Sequence, residues 1–259
     1  MTTSETTLCV DIGATSLKAC CVNGDGLIVS SVVRRKTQAP VSPRNLLGLI
    51  DSASRKLEGF SQVAIGFPGA LRDGRVISPD NLARVDGPGS EFDGLIRNEW
   101  DGFALGREVE EKLGQPTRVA NDADVAALGC SRGRGCELTV TLGTGIGTGV
   151  VRDGQLQPHR EFSDDLRQGQ ISFDEFIGEK TRKSLTTHEF NQRVIDVLQQ
   201  LDTEVEFDAC YLVGGNAPRL SRDRLSVFEG RCWIMKEPVG LTGGIKLFSS
   251  SWPSSQSPV

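Results

Sequence analysis

The pattern of apolar and polar positions opens with two short apolar runs within Leu8–Val22, on either side of a Gly/Thr/Ser turn. An Asn23-Gly-Asp-Gly26 turn and a third run, Leu27–Val33, follow. This predicts a strand-turn-strand-turn-strand meander. Leu46, Leu49, Ile50, Ala53 and Leu57 then fall at helical spacing within Asn45–Leu57, and Gln62–Gly66 reads as a buried strand. The same order returns later. Leu138–Val151 is a glycine-rich hairpin with an Asp153-Gly154 turn after it. Glu189–Leu201 carries Phe190, Val194, Val197, Leu198 and Leu201 at helical spacing, and the strand Ala209–Val213 ends in Gly214-Gly215. With hairpin glycines at Gly13 and Gly143, half a chain apart, the second half repeats the plan of the first. Between the halves, Trp100–Gly114 reads as one helix stopped by Gly114-Gln-Pro116, and Val119-Ala120 lead through Asn121 into a helix over Asp122–Cys130. The expected division is an N-terminal lobe over 1–115, a C-terminal lobe over 116–248 and a mobile Ser/Pro-rich tail over 249–259.

Composition narrows the function classes. The 259 residues suffice for one large domain or two modest lobes, and a net charge of -5 gives no field that would attract a polyanion over the whole surface, so nucleic-acid binding is not expected. The charge run Arg34-Arg-Lys36 reads as a solvated face. Seven cysteines, single or as the adjacent pair Cys20-Cys21, form no disulfide framework and suit reduced thiols in a cytoplasm. No segment offers the roughly 18 continuous apolar residues of a membrane span, and the polar start lacks a targeting pattern. The 30 glycines exceed the roughly 7% share of average proteins and cluster at a few turns, where they serve backbone geometry or ligands.

Those turns carry the candidate chemistry. Asp11-x-Gly13-x-Thr15-x-x-Lys18 sets a carboxylate at a strand end and a hydroxyl and an ammonium just past a tight turn. Such a hairpin presents N–H donors to phosphate oxygens while the acid orders Mg2+ through water; it is equally a plain hairpin whose glycine supplies a positive φ. Gly143-Thr-Gly-Ile-Gly-Thr-Gly149 forfeits about 0.5–1 kcal/mol of strand stability per glycine, which points to something approaching the backbone closely. Gly66-Phe-Pro-Gly69 is a turn after a strand. Asn121 can cap the helix that Asp122 begins, where the helix dipole favours an ionised acid. An ionised Asp122 could accept a hydroxyl proton and orient the oxygen for in-line attack; capping alone is the plainer role.

Asp11-Ile-Gly-Ala-Thr15, Gly66-Phe-Pro-Gly69, Asn121-Asp-Ala-Asp124, Leu142-Gly-Thr-Gly-Ile-Gly147 and Val213-Gly-Gly-Asn216 together resemble the ROK family of sugar kinases in order and spacing. Gly-Gly-Asn-Ala217 in a short chain looks most like that family's polyphosphate/ATP glucokinases. The resemblance covers roughly residues 8–248. It implies an α/β protein of the actin-like (ribonuclease H-like) ATPase fold, two duplicated lobes with a cleft between them, that phosphorylates a hexose hydroxyl. It further implies Asp122 as catalytic base, and Gly66, Pro68, Gly69, Asn81, Asn121 and Glu161 as sugar-binding residues. Asp11, Gly13, Thr15, Lys18, Gly143, Thr144, Gly145, Gly214 and Gly215 would bind the donor, with Asp11 ordering Mg2+ through water. Gly243-Gly244 would face the nucleotide base or the distal polyphosphate. The donor is ATP or polyphosphate, the partner a small-molecule sugar, and families of this type commonly form homodimers.

Three departures matter. The stretch from Asn81 to Trp100 is longer than usual and could lid the cleft or change its mouth. Where the family has Gly-His soon after its Glu, this chain has Ser163-Asp164 after Glu161, and His159 reads as an ordinary surface histidine. Cys130 and Cys136 lack a neighbouring Cys pair or His, so no structural zinc is expected. The second reading is therefore a catalytically impaired sugar-binding or regulatory protein of the same fold. The first strand begins by about Leu8, which leaves no room for the DNA-binding helix-turn-helix of the family's repressors. Type III pantothenate kinase has the same fold class but lacks the Gly-x-Pro-Gly and Asn-Asp-Ala pairing.

Overall fold

The computed structural model describes residues 5–87, 90–162, 166–167, 171–236 and 238–249. They divide into two compact units, one drawn from Met1–Val125 and Gly240–Val259, the other from Ala126–Val239.

The first unit is built on β1 (Thr7–Ile12), β2 (Ser16–Val22), β3 (Val33–Lys36), α1 (Pro43–Ser54), β4 (Gln62–Phe67), the short hairpin β5 (Ala70–Arg72) and β6 (Arg75–Ser78), α2 (Gly94–Trp100), α3 (Leu105–Leu113) and β7 (Thr117–Asn121). Its sheet runs β3-β2-β1-β4-β7, with β2 antiparallel to both β1 and β3, and β4 and β7 parallel to β1. Leu8, Val10 and Ile12 pack with Leu46 and Ile50 of α1 in one core. Each such side chain contributes about 1.5–3 kcal/mol on burial. Ser42 caps α1 by accepting from the Asn45 N–H, with Pro43 in its first turn, so the helix starts two residues earlier than its apolar spacing indicates.

The chain leaves this sheet through α4 (Asp122–Cys130). The second unit continues with β8 (Cys136–Leu142), β9 (Ile146–Arg152), β10 (Gln155–Leu156), the pair β11 (Leu166–Arg167) and β12 (Ile171–Ser172), α5 (Phe173–Ile177), α6 (Glu179–Arg182), α7 (Thr187–Val205), β13 (Ala209–Val213) and β14 (Cys232–Ile234), and from Gly240, in α8 (Val239–Thr242), the chain belongs to the first unit again. The sheet order of the second unit, β10-β9-β8-β13-β14, has an antiparallel meander leading into parallel β8, β13 and β14, the topology of the first sheet. The α7 helix exceeds its predicted span at both ends: Thr186 and Glu189 form a capping box at its start, and it runs on to Val205, where Glu206 caps it in the left-handed conformation. Its apolar stripe, including Val194, Val197, Leu198 and Leu201, joins Leu138, Val140 and Leu212 in the core.

Several expectations need correction. The third strand begins at Val33, where the third apolar run ends, because Leu27 and Val29 stand 63% and 55% exposed. Arg34-Arg-Lys36 lies on that edge strand, a placement that discourages pairing with another chain. The helix expected over Trp100–Gly114 is confined to α3, Leu105–Leu113; Trp100 instead ends α2, which starts at Gly94. Gly102, at φ +68°, breaks them apart, with its N–H donating to Val76 O and its carbonyl accepting from Arg75. The lobe boundary lies beyond residue 115, since β7 adds to the first sheet and the segment after α8 returns to it. Gly243 and Gly244, expected at the donor, are buried in the first unit. A Cβ on Gly244 would stand 2.9 Å from both Ala64 Cβ and Cys9 Sγ, so glycine there lets the backbone lie on the sheet. Of the tail, only Ser249 is described.

Candidate functional site

In the first unit, the ladder sets Asp11 directly opposite Lys18, and Lys18 Nζ lies 3.1 Å from Asp11 Oδ2. The ammonium expected at a phosphate is thus ion-paired to the acid, a cross-strand pair of opposite charges. In the turn, the Gly13 N–H donates to Ser16 O at 3.0 Å. Thr37, buried just past β3, donates its Oγ1 hydroxyl to Gly13 O (2.8 Å) and its N–H to Thr15 O (3.1 Å). Gly13 does not adopt a positive φ. Its reason is closeness, since a Cβ would lie 3.1 Å from Ser16 O.

The junction of β7 and α4 holds the predicted base. Asn121 is buried; its Oδ1 accepts from the Ala123 N–H (2.8 Å), and its amide donates to Gly69 O (3.2 Å). One side chain therefore caps α4 and ties down the Gly66–Gly69 turn. Asp122, half-buried, is the first helical residue, and its Oδ1 also accepts from the Ala123 N–H, at 2.9 Å. A Cβ at Gly66 would lie 3.3 Å from Asp122 Cα, so glycine there lets β4 lie against the residue that carries the acid, and one at Gly69 would lie only 2.2 Å from Ser78 O, so glycine there lets the turn pass the end of β6. Pro68 is half-buried between them. Asn81 stands half-buried in a single 3-10 turn, and its side chain has no hydrogen-bond partner among the described residues. Trp100 is a core residue. Its Nε1–H donates to Val41 O (2.8 Å), and its ring packs against Phe67 and Phe103.

In the second unit, the tip of the β8–β9 hairpin is Gly143-Thr144-Gly145. Its carbonyls are taken. Asn216 donates its backbone N–H to Leu142 O (2.9 Å) and its Nδ2 to Gly143 O (3.0 Å), while the Glu179 N–H donates to Thr144 O (3.0 Å). Asp174 Oδ1 accepts from the Ile146 N–H at 2.6 Å, and a Cβ on Gly145 would meet the same carboxylate at 2.6 Å. Glycine at 145 thus leaves the Asp174 carboxylate its place against the hairpin, a reason internal to the protein. Gly143, by contrast, has open space in the Cβ direction. Asn216 also donates to Glu179 Oε2 (3.0 Å), and Arg182 grips both carboxylate oxygens of Glu179 at 2.5 and 2.9 Å. Arg182 and then Asn216, with Lys183 adding charge, hold the Glu179 carboxyl down to about 2. Gly214 (φ +94°) and Gly215 are exposed just before Asn216.

Glu161 lies near His159, whose Nε2 is 3.6 Å from Glu161 Oε2, with the His side chain only 19% exposed. His159 is therefore not the ordinary surface histidine expected. Ser163-Asp164 lie outside the described residues.

Within the first unit the fold gathers Gly66, Pro68, Gly69, Asn121 and Asp122 at one junction and Asp11, Gly13, Thr15 and Lys18 at one hairpin. Within the second it ties Gly143, Thr144 and Gly145 through Asn216 to the strand end that carries Gly214 and Gly215. Sequence reasoning missed Thr37, Asp174 and Glu179, which reach their partners from distant segments. Asn216 stood in a quoted motif without a role. Among the described residues, no group of three or more His, Cys, Asp or Glu is placed to hold a metal ion, and no helix is long and apolar enough to cross a membrane.

Residues 7–160 match the model of the ROK family. The N-acetylmannosamine kinase of Escherichia coli O1:K1 is 32% identical over 161 residues, 59% of this chain and 49% of that protein, so the chain spans about half the length of that relative. The polyphosphate glucokinase of Mycobacterium tuberculosis is 25% identical over 248 residues, 91% of this chain and 87% of that protein. Among solved structures, the inorganic polyphosphate/ATP-glucomannokinase of Arthrobacter sp. strain KM aligns with a TM-score of 0.76 at 22% identity, covering 93% of this chain and 97% of that one. The fold is the actin-like ATPase fold.

Proposed function

The chain belongs to the ROK family, and we propose that it is a phosphotransferase moving a phosphoryl group from ATP or inorganic polyphosphate to a hexose hydroxyl in the cytoplasm. The observation that carries this reading is the Asn121 junction, where one buried amide locks the Gly66–Gly69 turn to the start of α4 and sets Asp122 beside it. In this reading Asp122 accepts the proton of the attacking hydroxyl and aligns its oxygen, and Asn121, Asn81, Glu161 and the Gly66, Pro68 and Gly69 turn bind the other sugar hydroxyls. Backbone N–H groups of the two glycine hairpins, with Thr15 and Lys18, bind phosphate oxygens, and Gly215, with open space in its Cβ direction, leaves room for the rest of the donor, beside Gly214, whose missing Cβ lets the chain pass the Leu142 backbone.

A lone, part-exposed carboxylate paired to Lys18 suits a metal that arrives on the phosphates and is held through water, so Asp11 fits Mg2+ in that outer position. Bound there, Mg2+ would neutralise charge on the transferring group. The remaining rate acceleration comes from positioning, which this chain's own side chains supply.

Asp122→Asn keeps the shape and removes the base. Turnover should fall by about 10²–10⁴-fold while hexose affinity stays within about two-fold of wild type, measured by a coupled assay with ATP and with polyphosphate and by calorimetry with the sugar. Wild-type rates in that variant would remove Asp122 from its role. The absence of Gly-His after Glu161 favours the second reading, a sugar-binding protein without catalysis. Hexose binding to the wild type with no turnover on either donor would establish it.

A further inference from the structure

The two peptide planes at the tip of the second hairpin carry a consequence for the donor. In a trans peptide the carbonyl and the N–H of one plane point in opposite directions, so fixing one fixes the other. The Gly143 carbonyl shares its plane with the Thr144 N–H, and the Thr144 carbonyl with the Gly145 N–H. Both carbonyls are held, by Asn216 Nδ2 and by the Glu179 N–H, each at 3.0 Å. Both N–H groups lack a hydrogen-bond partner among the described residues.

The holders are themselves held. Asn216 is buried, and a single Nδ2 group serves both Gly143 O and Glu179 Oε2. Glu179 is oriented in turn by the two-pronged contact from Arg182, the strong geometry for a guanidinium and a carboxylate.

We propose that Asn216 and Glu179 are positioning residues for phosphoryl donors: by clamping the carbonyls of Gly143 and Thr144 they aim the N–H groups of Thr144 and Gly145 at phosphate oxygens. The inference rests on the phosphotransferase reading and adds to it the groups that set donor affinity. Asn216 acts by side chain and Glu179 in two ways, through its backbone N–H and through the carboxylate that steers Asn216. Truncating the Glu179 side chain therefore releases only the Gly143 plane, whereas its backbone contact to Thr144 stays.

The test compares KM for donor and KM for hexose in wild type, Asn216→Ala, Glu179→Ala and Glu179→Gln, with melting temperature measured alongside. Asn216→Ala should raise donor KM at least ten-fold and Glu179→Ala about three- to ten-fold, with hexose KM within two-fold. Glu179→Gln retains an acceptor for Asn216 and should return donor KM to within about three-fold of wild type. A purely structural role would lower the melting temperature and leave the two KM values in their wild-type ratio; that outcome overturns the clamp while wild-type turnover leaves the phosphotransferase reading standing. If wild type binds inorganic tripolyphosphate or MgATP by calorimetry without turnover, loss of that binding in Asn216→Ala supports the clamp and removes only the catalytic reading. Wild type that binds neither ligand overturns both.

Discussion

The hairpins of the two units have the same place in the same sheet topology, yet they are supported by different chemistry. In the first, a buried hydroxyl and backbone N–H of Thr37 hold the turn carbonyls, and the acid nearby is matched cross-strand by Lys18. In the second, one carbonyl is held by the N–H that starts a helix and the other by an amide whose position depends on a carboxylate, Glu179, and on the guanidinium that grips it. Duplication of topology has not duplicated the clamp. One turn is fixed by neutral hydrogen bonds, the other by a network that titrates, and the two should respond differently to mutation and to acid.

The largest effect expected from breaking that contrast is at Thr37. Thr37→Val keeps the shape but leaves Gly13 O without its hydroxyl donor in a half-buried place, at a cost of about 1 kcal/mol. Chemical denaturation should show that loss, and it should be the same at pH 7 and pH 4 because no titrating group takes part. A loss that grows as pH falls would mean that the first turn, too, leans on a charge.

Acid should separate the two turns next. The Glu179 carboxyl is held near 2 in the folded protein against an ordinary 4.5, so the folded state binds fewer protons than the unfolded chain between those values. Its contribution to stability is therefore complete above about pH 4.5 and is lost as pH falls towards 2. Glu179→Gln should destabilise the protein at neutral pH and have a shrinking effect through that window, read as the gap in urea midpoint between the variant and wild type. A gap that stays constant from pH 5 to pH 2.5 would contradict the assignment of the network to Arg182 and Asn216.

Much of this frame was legible from local pattern. The strand Ala209–Val213 and the Asp153-Gly154 turn stand where the sequence places them, because strand alternation and turn chemistry are short-range signals. The late start of α3 was not legible, since α2 and α3 present apolar residues to one core and the break between them rests on Gly102, whose hydrogen bonds with Arg75 and Val76 hold it at a positive φ. At the site, the motif glycines mark the right turns, but their reasons emerge only from packing. Gly145 avoids Asp174, and Gly69 avoids Ser78 O. The residues that hold those turns, Thr37 and Glu179, carry no motif, because a hydrogen bond to a backbone carbonyl far along the chain leaves no periodic trace.

Asp174 sharpens the comparison by the smallest effect. The first hairpin's acid is paired with Lys18, whereas the second has a carboxylate against Gly145 that accepts from the Ile146 N–H. If anionic phosphates settle on the Thr144 and Gly145 N–H groups, that carboxylate opposes them, by on the order of 0.5–1 kcal/mol at a solvated site. Asp174→Asn removes the charge and retains an oxygen for Ile146. Donor KM should fall about two- to five-fold, with hexose KM unchanged and a small loss of melting temperature as the first turn of α5 gives up its acid. The sign decides the matter: a rise in donor KM would mean that holding Ile146 outweighs repulsion, and that Asp174 belongs with Asn216 and Glu179 among the supports of the hairpin.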